Sequence, residues 1–403
     1  MIKSDSQSEA VSQPRPGVAI ITNSQTPYRL ALHLRIAREL PQLRLWSLYT
    51  HELSNASWKF TAPAEIGPVR FGPGEDCADA TRPNRQWREF KRGGQIIQWL
   101  KDHDIRMVVI FGYNDLGRLR IIRWCKKAKV PCFLFGDSNI HGDHVSGIKA
   151  IAKRLIVGTV VRWCTGVFAC GSLGREYFVK YGAKPERIFY FPYEPDYALI
   201  ENLPADAIES ARQQLGLTPG RHRMVYSGRL VDLKRVDLLI DAFSAVASDR
   251  LDWDLLIVGD GPQKAILQAK IPADLVSRVI WAGFIDDQLR VSAIYRNCDL
   301  LVLPSDFEPW ALVINEAVCA GLAVVCSNVV GAAAELVRDG VNGRVFPPGD
   351  LAALTDALRQ MTEPGVVERM RSASTEVLKD WRHRGDPVRG LLEAVKFAGV
   401  LPA

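Results

Sequence analysis

Residues 300–326 read LLVLPSDFEPWALVINEAVCAGLAVVC. Leu300 to Leu303 is a short apolar run, which suits a buried strand. Trp310 to Ala320 carries apolar residues at helical spacing, and Ala323 to Cys326 is a second apolar run. A strand, a helix and a strand in such close succession form a crossover unit of a parallel sheet. Pro309 fits the first turn of the helix, where a missing N–H costs nothing. The free N–H groups at that terminus make an anion site beside the strand's carboxyl end. Glu308 stands just before the helix and Glu316 lies eight positions later, about two turns deeper. Carboxylates there accept hydrogen bonds from sugar or ribose hydroxyls. Glu316 is flanked by Val313, Ala317 and Val318, so without a partner it would be costly to bury. The plainer alternative is a helix that merely begins and ends with acids.

The same rhythm extends in both directions. Upstream in this half, strands are expected at Arg223–Tyr226, Trp253–Val258 and Val279–Ala282, and downstream at Gly343–Phe346, with helices between them. An earlier series of apolar runs, at Val18–Ile21, Leu43–Tyr49, Met107–Phe111, Val130–Phe135, Val167–Cys170 and Ile188–Phe191, has the same alternation. Both series predict an α/β fold of two doubly wound units, each with a parallel sheet covered by helices. The stretch Pro192-Tyr193-Glu194-Pro195-Asp196-Tyr197 is a stiff linker. The division expected is a flexible tail over 1–16, a first domain over 17–198, a second over 199–378 and closing helices over 379–403. Ligands of such sheets bind at the carboxyl ends of strands, so a cleft between the two units is the expected site.

The remaining loops at those strand ends are chemically loaded. After residues 223–226 comes Ser227-Gly228-Arg229-Leu230, with Lys234 a few positions on. Gly228 lets the backbone approach a ligand, and Arg229 and Lys234 bring two cations suited to a diphosphate. A solvated basic helix start is the competing reading. Gly259-Asp260-Gly261-Pro262 resembles a nucleotide-binding turn, but Lys264 stands where the dinucleotide fingerprint needs Gly or Ala. Gly283-Phe284-Ile285 offers backbone polar groups for a base edge and a ring, Phe284, to pack beside it. Asp252-Trp253-Asp254 spells a D-x-D metal signature, but it runs straight into the strand LLIV and reads as a strand entrance.

Composition sets outer limits. The chain has 403 residues, 47% hydrophobic and 24% charged, which excludes overall disorder and suits two or three domains. No stretch reaches the ~18 apolar residues that span a bilayer. The polar start of the chain has no signal-like apolar region, so a cytoplasmic protein is expected. The eight cysteines form no C-x-x-C pair and read as buried hydrophobes. Residues 1–200 hold 29 Lys and Arg against 18 Asp and Glu, whereas residues 201–403 hold 22 against 27. A basic first half points to a polyanionic partner. Its cations cluster over 118–129 and over 148–163, the second a helix able to lie on an anionic bilayer. A core-facing helix with a solvated basic side is the alternative. No nucleic-acid-binding module is recognisable.

Taken in order, Gly228-Arg229-Leu230, Lys234, Val258-Gly259-Asp260-Gly261-Pro262, Gly283-Phe284, Pro304-Ser305 and the E-x7-E pair Glu308 and Glu316 resemble the donor half of retaining glycosyltransferases of family 4, of GT-B fold. The resemblance covers roughly residues 223–350. It implies two facing Rossmann-like domains and a final helix crossing back to the first. It implies a hexosyltransferase using a UDP-, GDP- or related nucleotide-sugar and a glycan acceptor, lipid-linked in polysaccharide or glycolipid biosynthesis. Arg229 and Lys234 would hold the diphosphate, Glu316 the ribose and Glu308 the transferred sugar. Gly259, Gly261, Phe284, Ile285, Pro309, Trp310, Ala311 and Leu312 would complete the donor site. Neither a cofactor nor a metal is implied, since cations replace the latter. Many members read E-G-F-G where this chain has Glu308-Pro309-Trp310-Ala311, which would reshape the sugar pocket. On the acceptor side Tyr28 and Arg29 belong to a T-P-Y-R stretch also found in some bacterial polysaccharide enzymes. Asp137, a candidate catalytic group, shares one loop with His141 and His144, and which of the three meets the reacting centre is open. A sugar-nucleotide epimerase and a non-catalytic nucleotide-sugar-binding protein are the competing functions.

Overall fold

Apolar runs that are buried on both faces pair most readily as parallel strands. The computed structural model, which describes residues 15–53 and 60–402, contains two such sheets. The first joins β1 (Gly17–Thr22), β2 (Arg44–Tyr49), β3 (Val69–Arg70), β4 (Ile105–Phe111), β5 (Cys132–Gly136), β6 (Gly166–Ala169) and β7 (Ile188–Tyr190). Their order is β3-β2-β1-β4-β5-β6-β7, all parallel. The second joins β8 (His222–Ser227), β9 (Trp253–Val258), β10 (Val279–Gly283), β11 (Leu300–Leu303), β12 (Ala323–Ser327) and β13 (Gly343–Phe346). Its order is β10-β9-β8-β11-β12-β13, again all parallel. The direction of winding reverses between β1 and β4, and between β8 and β11. At such a switch point neighbouring loops diverge and open a crevice at the strands' carboxyl ends.

The central strands are apolar along their whole length. Every residue of β9 and β11 is buried. Asp254, inside β9, is matched by Arg221 at 2.6 Å. It lies near the strand's amino end, so the D-x-D triplet is a strand entrance far from the carboxyl-end crevice. All eight cysteines are free. The tail expected over residues 1–16 lies outside the described residues except for Arg15 and Pro16.

One expected boundary is wrong in an informative way. The helix expected over 310–320 is Leu312–Cys319. Pro309 and Trp310 precede it, and Ala311 sits in the left-handed region at φ 79°. Tertiary partners claim the carbonyls that a helix would need. The Gly331 N–H donates to the Glu308 carbonyl at 3.1 Å, and the Ala332 N–H to that of Trp310 at 2.7 Å.

Two helices close the chain. Val366–Arg384 packs on the second sheet, where the Ser374 hydroxyl donates to the Leu322 carbonyl at 2.7 Å. The chain then turns at Gly385 and Asp386, and Pro387–Phe397 lies against β7 of the first sheet. A Cβ on Gly390 would stand 1.8 Å from the Tyr190 carbonyl oxygen, so only glycine permits this approach.

Candidate active site

The second sheet presents its loops at the β8/β11 switch point. Gly259 at the end of β9 faces Gly228 at the end of β8. A Cβ on Gly259 would lie 1.9 Å from the Gly228 carbonyl, and one on Gly261 2.4 Å from that of Leu230. These glycines therefore let two loops stack on each other. Beyond them Arg229 is exposed, with no ion-pair or hydrogen-bond partner for its guanidinium among the described residues. Its carbonyl accepts from the Tyr226 hydroxyl at 2.9 Å. Lys234 pairs through Nζ with the Glu308 carboxylate, which also accepts from the Ser305 hydroxyl at 2.8 Å. Burial and the Glu308 charge hold the Tyr226 hydroxyl well above its ordinary pKa, with Arg229 opposing, so the four groups share one electrostatic neighbourhood.

Glu316 is buried on the second turn of the Leu312–Cys319 helix. The Tyr295 hydroxyl donates to its Oε2 at 3.3 Å. Burial pushes its carboxyl up to about 7, although hydrogen bonds from Gln288 and Tyr295 act the other way. After β10, Phe284 is 59% exposed and Ile285 is half-buried. The Gly283 carbonyl accepts from the Gly259 N–H at 2.8 Å, tying this loop to the glycine stack.

The first sheet offers a second group of residues at its own switch point. Arg29 donates through Nη1 to the Ser24 carbonyl at 2.9 Å, while its Nε is buried without a hydrogen-bond partner. Its guanidinium lies over the rings of Tyr28, Phe111 and Tyr193. Asp137 follows β5. Burial raises its pKa, and its own backbone N–H, Arg29 and the Tyr193 hydroxyl oppose the rise. Arg29, Asp137 and Tyr193 line a cavity of about 250 Å³ with Asn23, Asn114 and Arg118. Tyr28 meets Tyr193 edge-on, with ring centroids 5.3 Å apart. His141 and His144 are exposed, and neither side chain has a hydrogen-bond partner among the described residues.

Contacts between the lobes join these two groups. Asn139 accepts from the His141 and Gly142 N–H groups and donates through Nδ2 to the Glu308 carbonyl at 2.9 Å. A Cβ on Gly142 would lie 2.4 Å from the Phe307 ring, so the loop of Asp137 rests on the loop of Glu308. Trp310 donates through Nε1 to the Tyr193 carbonyl at 3.0 Å and to Asn315 Oδ1 at 3.1 Å. Its side chain is buried in the hinge beside Trp381, 5.8 Å between centroids. The Trp310 indole is the wedge between the lobes, because its single polar atom finds its partners there.

The structure thus brings Arg229, Lys234, Glu308 and Glu316 to one sheet end, and Tyr28, Arg29 and Asp137 to the facing one. Sequence reading gave no role to Asn139, Tyr193 or Tyr295, and quoted Ser305 only as part of the Pro304-Ser305 motif. Asn139 shares the Asp137 loop, and its two-sided amide was a usable signal for a bridging residue. The other three are polar groups at the ends of apolar strands or helices, a weaker signal. Among the described residues, His51, Glu75 and Glu89 are close enough to share a metal ion. The Arg92 guanidinium already sits among them, 2.7 Å from His51 Nε2 and 2.5 Å from Glu89, and pairs with Glu75 as well. That cluster is a satisfied ion-pair network. No described helix is long and apolar enough to cross a membrane.

Residues 221–363 match the family described as Glycosyl transferases group 1. A phosphatidyl-myo-inositol mannosyltransferase of Mycobacterium leprae is 30% identical over 199 residues, 48% of this chain and 52% of the relative. A lipopolysaccharide core biosynthesis mannosyltransferase, LpsB of Rhizobium meliloti, is 33% identical over 164 residues, 38% and 45% of the two chains. The chain thus spans about half the length of these curated relatives, and 20% of a further one. The crystal structure of HepE of Anabaena in complex with UDP superposes with a TM-score of 0.71 at 19% identity, covering 96% of this chain and all of that one.

Proposed function

We propose that this chain, a GT-B fold whose residues 221–363 belong to the group 1 glycosyl transferases, moves a hexosyl group from a nucleotide diphosphate-sugar to a glycan acceptor, with retention at the anomeric carbon. The observation that carries the reading is the arrangement of charge. An unpaired arginine, a lysine–glutamate pair and a buried carboxylate meet at one sheet end, opposite a cavity lined by Asp137, Arg29 and Arg118.

In this reading Glu316 binds the ribose hydroxyls. Arg229 and Lys234 take the diphosphate, and Glu308, released from part of its pairing with Lys234, takes the sugar hydroxyls. The free N–H groups at Leu312 and Val313 add positive potential. The bond from the anomeric carbon to the diphosphate oxygen breaks while the acceptor oxygen bonds the same face. The leaving diphosphate takes the acceptor's proton. Fixed cations stabilise the charge that develops on the leaving group, which is the largest service such a site performs. Asp137, held by Arg29 and Tyr193, orients the acceptor hydroxyl. These cations make a metal unnecessary, and activity should persist in excess chelator.

The relatives' names include lipid-borne acceptors, and we extend that class to this chain. The surface supports it. Helices Leu116–Ala128 and Gly147–Trp163 carry five and four cations with no carboxylate. Ile148 and Ile151 on the second are 86% and 63% exposed. Such a helix docks on the inner face of an anionic membrane. The direct test is a thermal-shift panel of nucleotides and nucleotide-sugars, followed by transfer assays with the best donor. Protection by one nucleotide diphosphate and acceptor-dependent release of it are expected. Turnover of the donor without acceptor would instead make the protein an epimerase, and near-normal transfer by Arg229→Ala would remove the diphosphate assignment.

A further inference from the structure

We infer that a groove between helices Leu116–Ala128 and Gly147–Trp163 holds the hydrocarbon chain of the acceptor, with the lipid's phosphate on its arginine rim; this rests on the lipid-linked reading above. Between the two helices lies an open groove of about 720 Å³. Leu119, Leu155, Ile156, Val160 and Trp163 line it, and Phe90 borders it. That volume is in the range of sites that enclose an organic ligand. Leu155 and Ile156 are 63% and 58% exposed, which is a costly arrangement for a helix with nothing to cover it.

Charge narrows the occupant. Arg120 and Arg123 stand on the rim. Arg120 is oriented by the Phe90 carbonyl at 2.8 Å, with its guanidinium 4.2 Å from the Phe90 ring centroid. Arg123 is exposed and has no carboxylate partner among the described residues. An apolar trough with unpaired cations at its edge fits an alkyl chain that ends in a phosphate. A bilayer offers the same chemistry, but the groove's position favours the acceptor. Leu116 borders the groove, and Asn114, two residues earlier, lines the cavity of Asp137 and Arg29. The groove and that cavity are thus neighbours along one chain segment, as an acceptor that reaches both requires.

The test uses the full chain and a hexadecyl phosphate carrying a photoactivatable diazirine in its chain. Irradiation should label peptides covering 116–123 and 155–163, and a neutral hexadecyl glucoside with the same diazirine should label them at least tenfold less. Thr159 is half-buried in the groove wall, so Thr159→Trp fills the groove and should cut phosphate-probe labelling tenfold while leaving flotation on anionic vesicles unchanged. Should its circular dichroism differ from wild type, Leu119→Gln, on the other helix of the groove, serves instead. Scattered labelling, equal labelling by the neutral probe, or undiminished labelling of the filled variant overturns the groove. Loss of vesicle binding together with labelling would assign the groove to the bilayer and overturn the acceptor assignment. Thermal protection by the panel of nucleotide diphosphates, read on the same samples, separates the two ideas, because its absence for every nucleotide with specific labelling refutes the transferase reading alone.

Discussion

Glu316 shows how a single carboxylate can be costly for the fold and useful to the site. Burial lifts its pKa from the ordinary 4.5 to about 7. A raised folded pKa means that stability is fully present below the unfolded value and is lost as pH rises through the folded one. That loss is about 3 kcal/mol once Glu316 is ionised. Glu316→Gln should therefore be more stable than wild type at pH 8 and equal to it near pH 4, by urea denaturation. The same variant should bind the nucleotide at least tenfold more weakly, by calorimetry, since a carboxylate accepts what an amide only partly accepts. Wild-type affinity should fall as pH drops from 8 to 6. Lys234→Ala removes the cation from Glu308 and leaves only the Ser305 donor there. Its kcat should fall by about 10² to 10³, the usual effect of removing one charge-stabilising donor. These residues were legible in the sequence because Lys234 and Glu308 are charged groups in loops that follow apolar strands and Glu316 is a lone acid inside an apolar helix. Asn139 and Tyr193 were less so, because the Glu308 carbonyl and the Trp310 indole that they satisfy come from the other lobe.

Elements were legible wherever their periodicity was strong. Strand Trp253–Val258, built on the apolar run LLIV, lies where the pattern puts it. The start of the Leu312–Cys319 helix did not, and the reason lies outside it. The Glu308 and Trp310 carbonyls are already bonded to Gly331 and Ala332. Ala311 takes up the change of direction with a left-handed backbone, which costs an L-residue roughly 1–2 kcal/mol. Ala311→Gly should relieve that strain and raise stability by roughly 0.5 kcal/mol, the remainder being lost to glycine's extra freedom in the unfolded chain. Chemical denaturation measures this directly, and a destabilised variant would mean that the Ala311 methyl group is itself needed for packing. Trp310 belongs to the same turn. Trp310→Phe keeps the ring but removes the donor to Tyr193 and Asn315. Turnover should fall while nucleotide affinity stays near wild type, because the indole's hydrogen bonds go to the Tyr193 carbonyl and Asn315 between the lobes.

At the scale of the whole molecule, the alternation of strands and helices was enough to show two lobes, but not what holds them at one angle. Arg35 does much of that. It lies on helix Pro27–Glu39 and binds Glu194 of the linker at 2.7 Å, Glu39 at 2.8 Å and Asp386 at the start of the last helix. No local pattern marks it, since Glu194 is 159 residues away and Asp386 is 351. Burial lifts Glu194 to about 7 even with Arg35 opposing the rise. Without Arg35 that carboxyl would be buried with little compensation, and Asp386 would lose the cation that orients the Pro387–Phe397 helix. Breaking such a pair costs about 3 kcal/mol when fully buried, and less here because Arg35 is 23% exposed in its side chain. Arg35→Ala should lower stability by about 2 kcal/mol at pH 8 and by less near pH 5, where Glu194 is protonated in either protein. Amide hydrogen exchange over residues 387–397 should speed up, with exchange over the Leu312–Cys319 helix unchanged. The nucleotide should bind as in wild type, because the residues proposed to hold it sit in the other lobe, whereas kcat should fall as the two lobes lose their fixed angle. Unchanged exchange over 387–397 in a folded Arg35→Ala protein would show that the apolar contacts of Phe189 and Phe397 suffice, and that the three-way ion cluster does not set the geometry of the cleft.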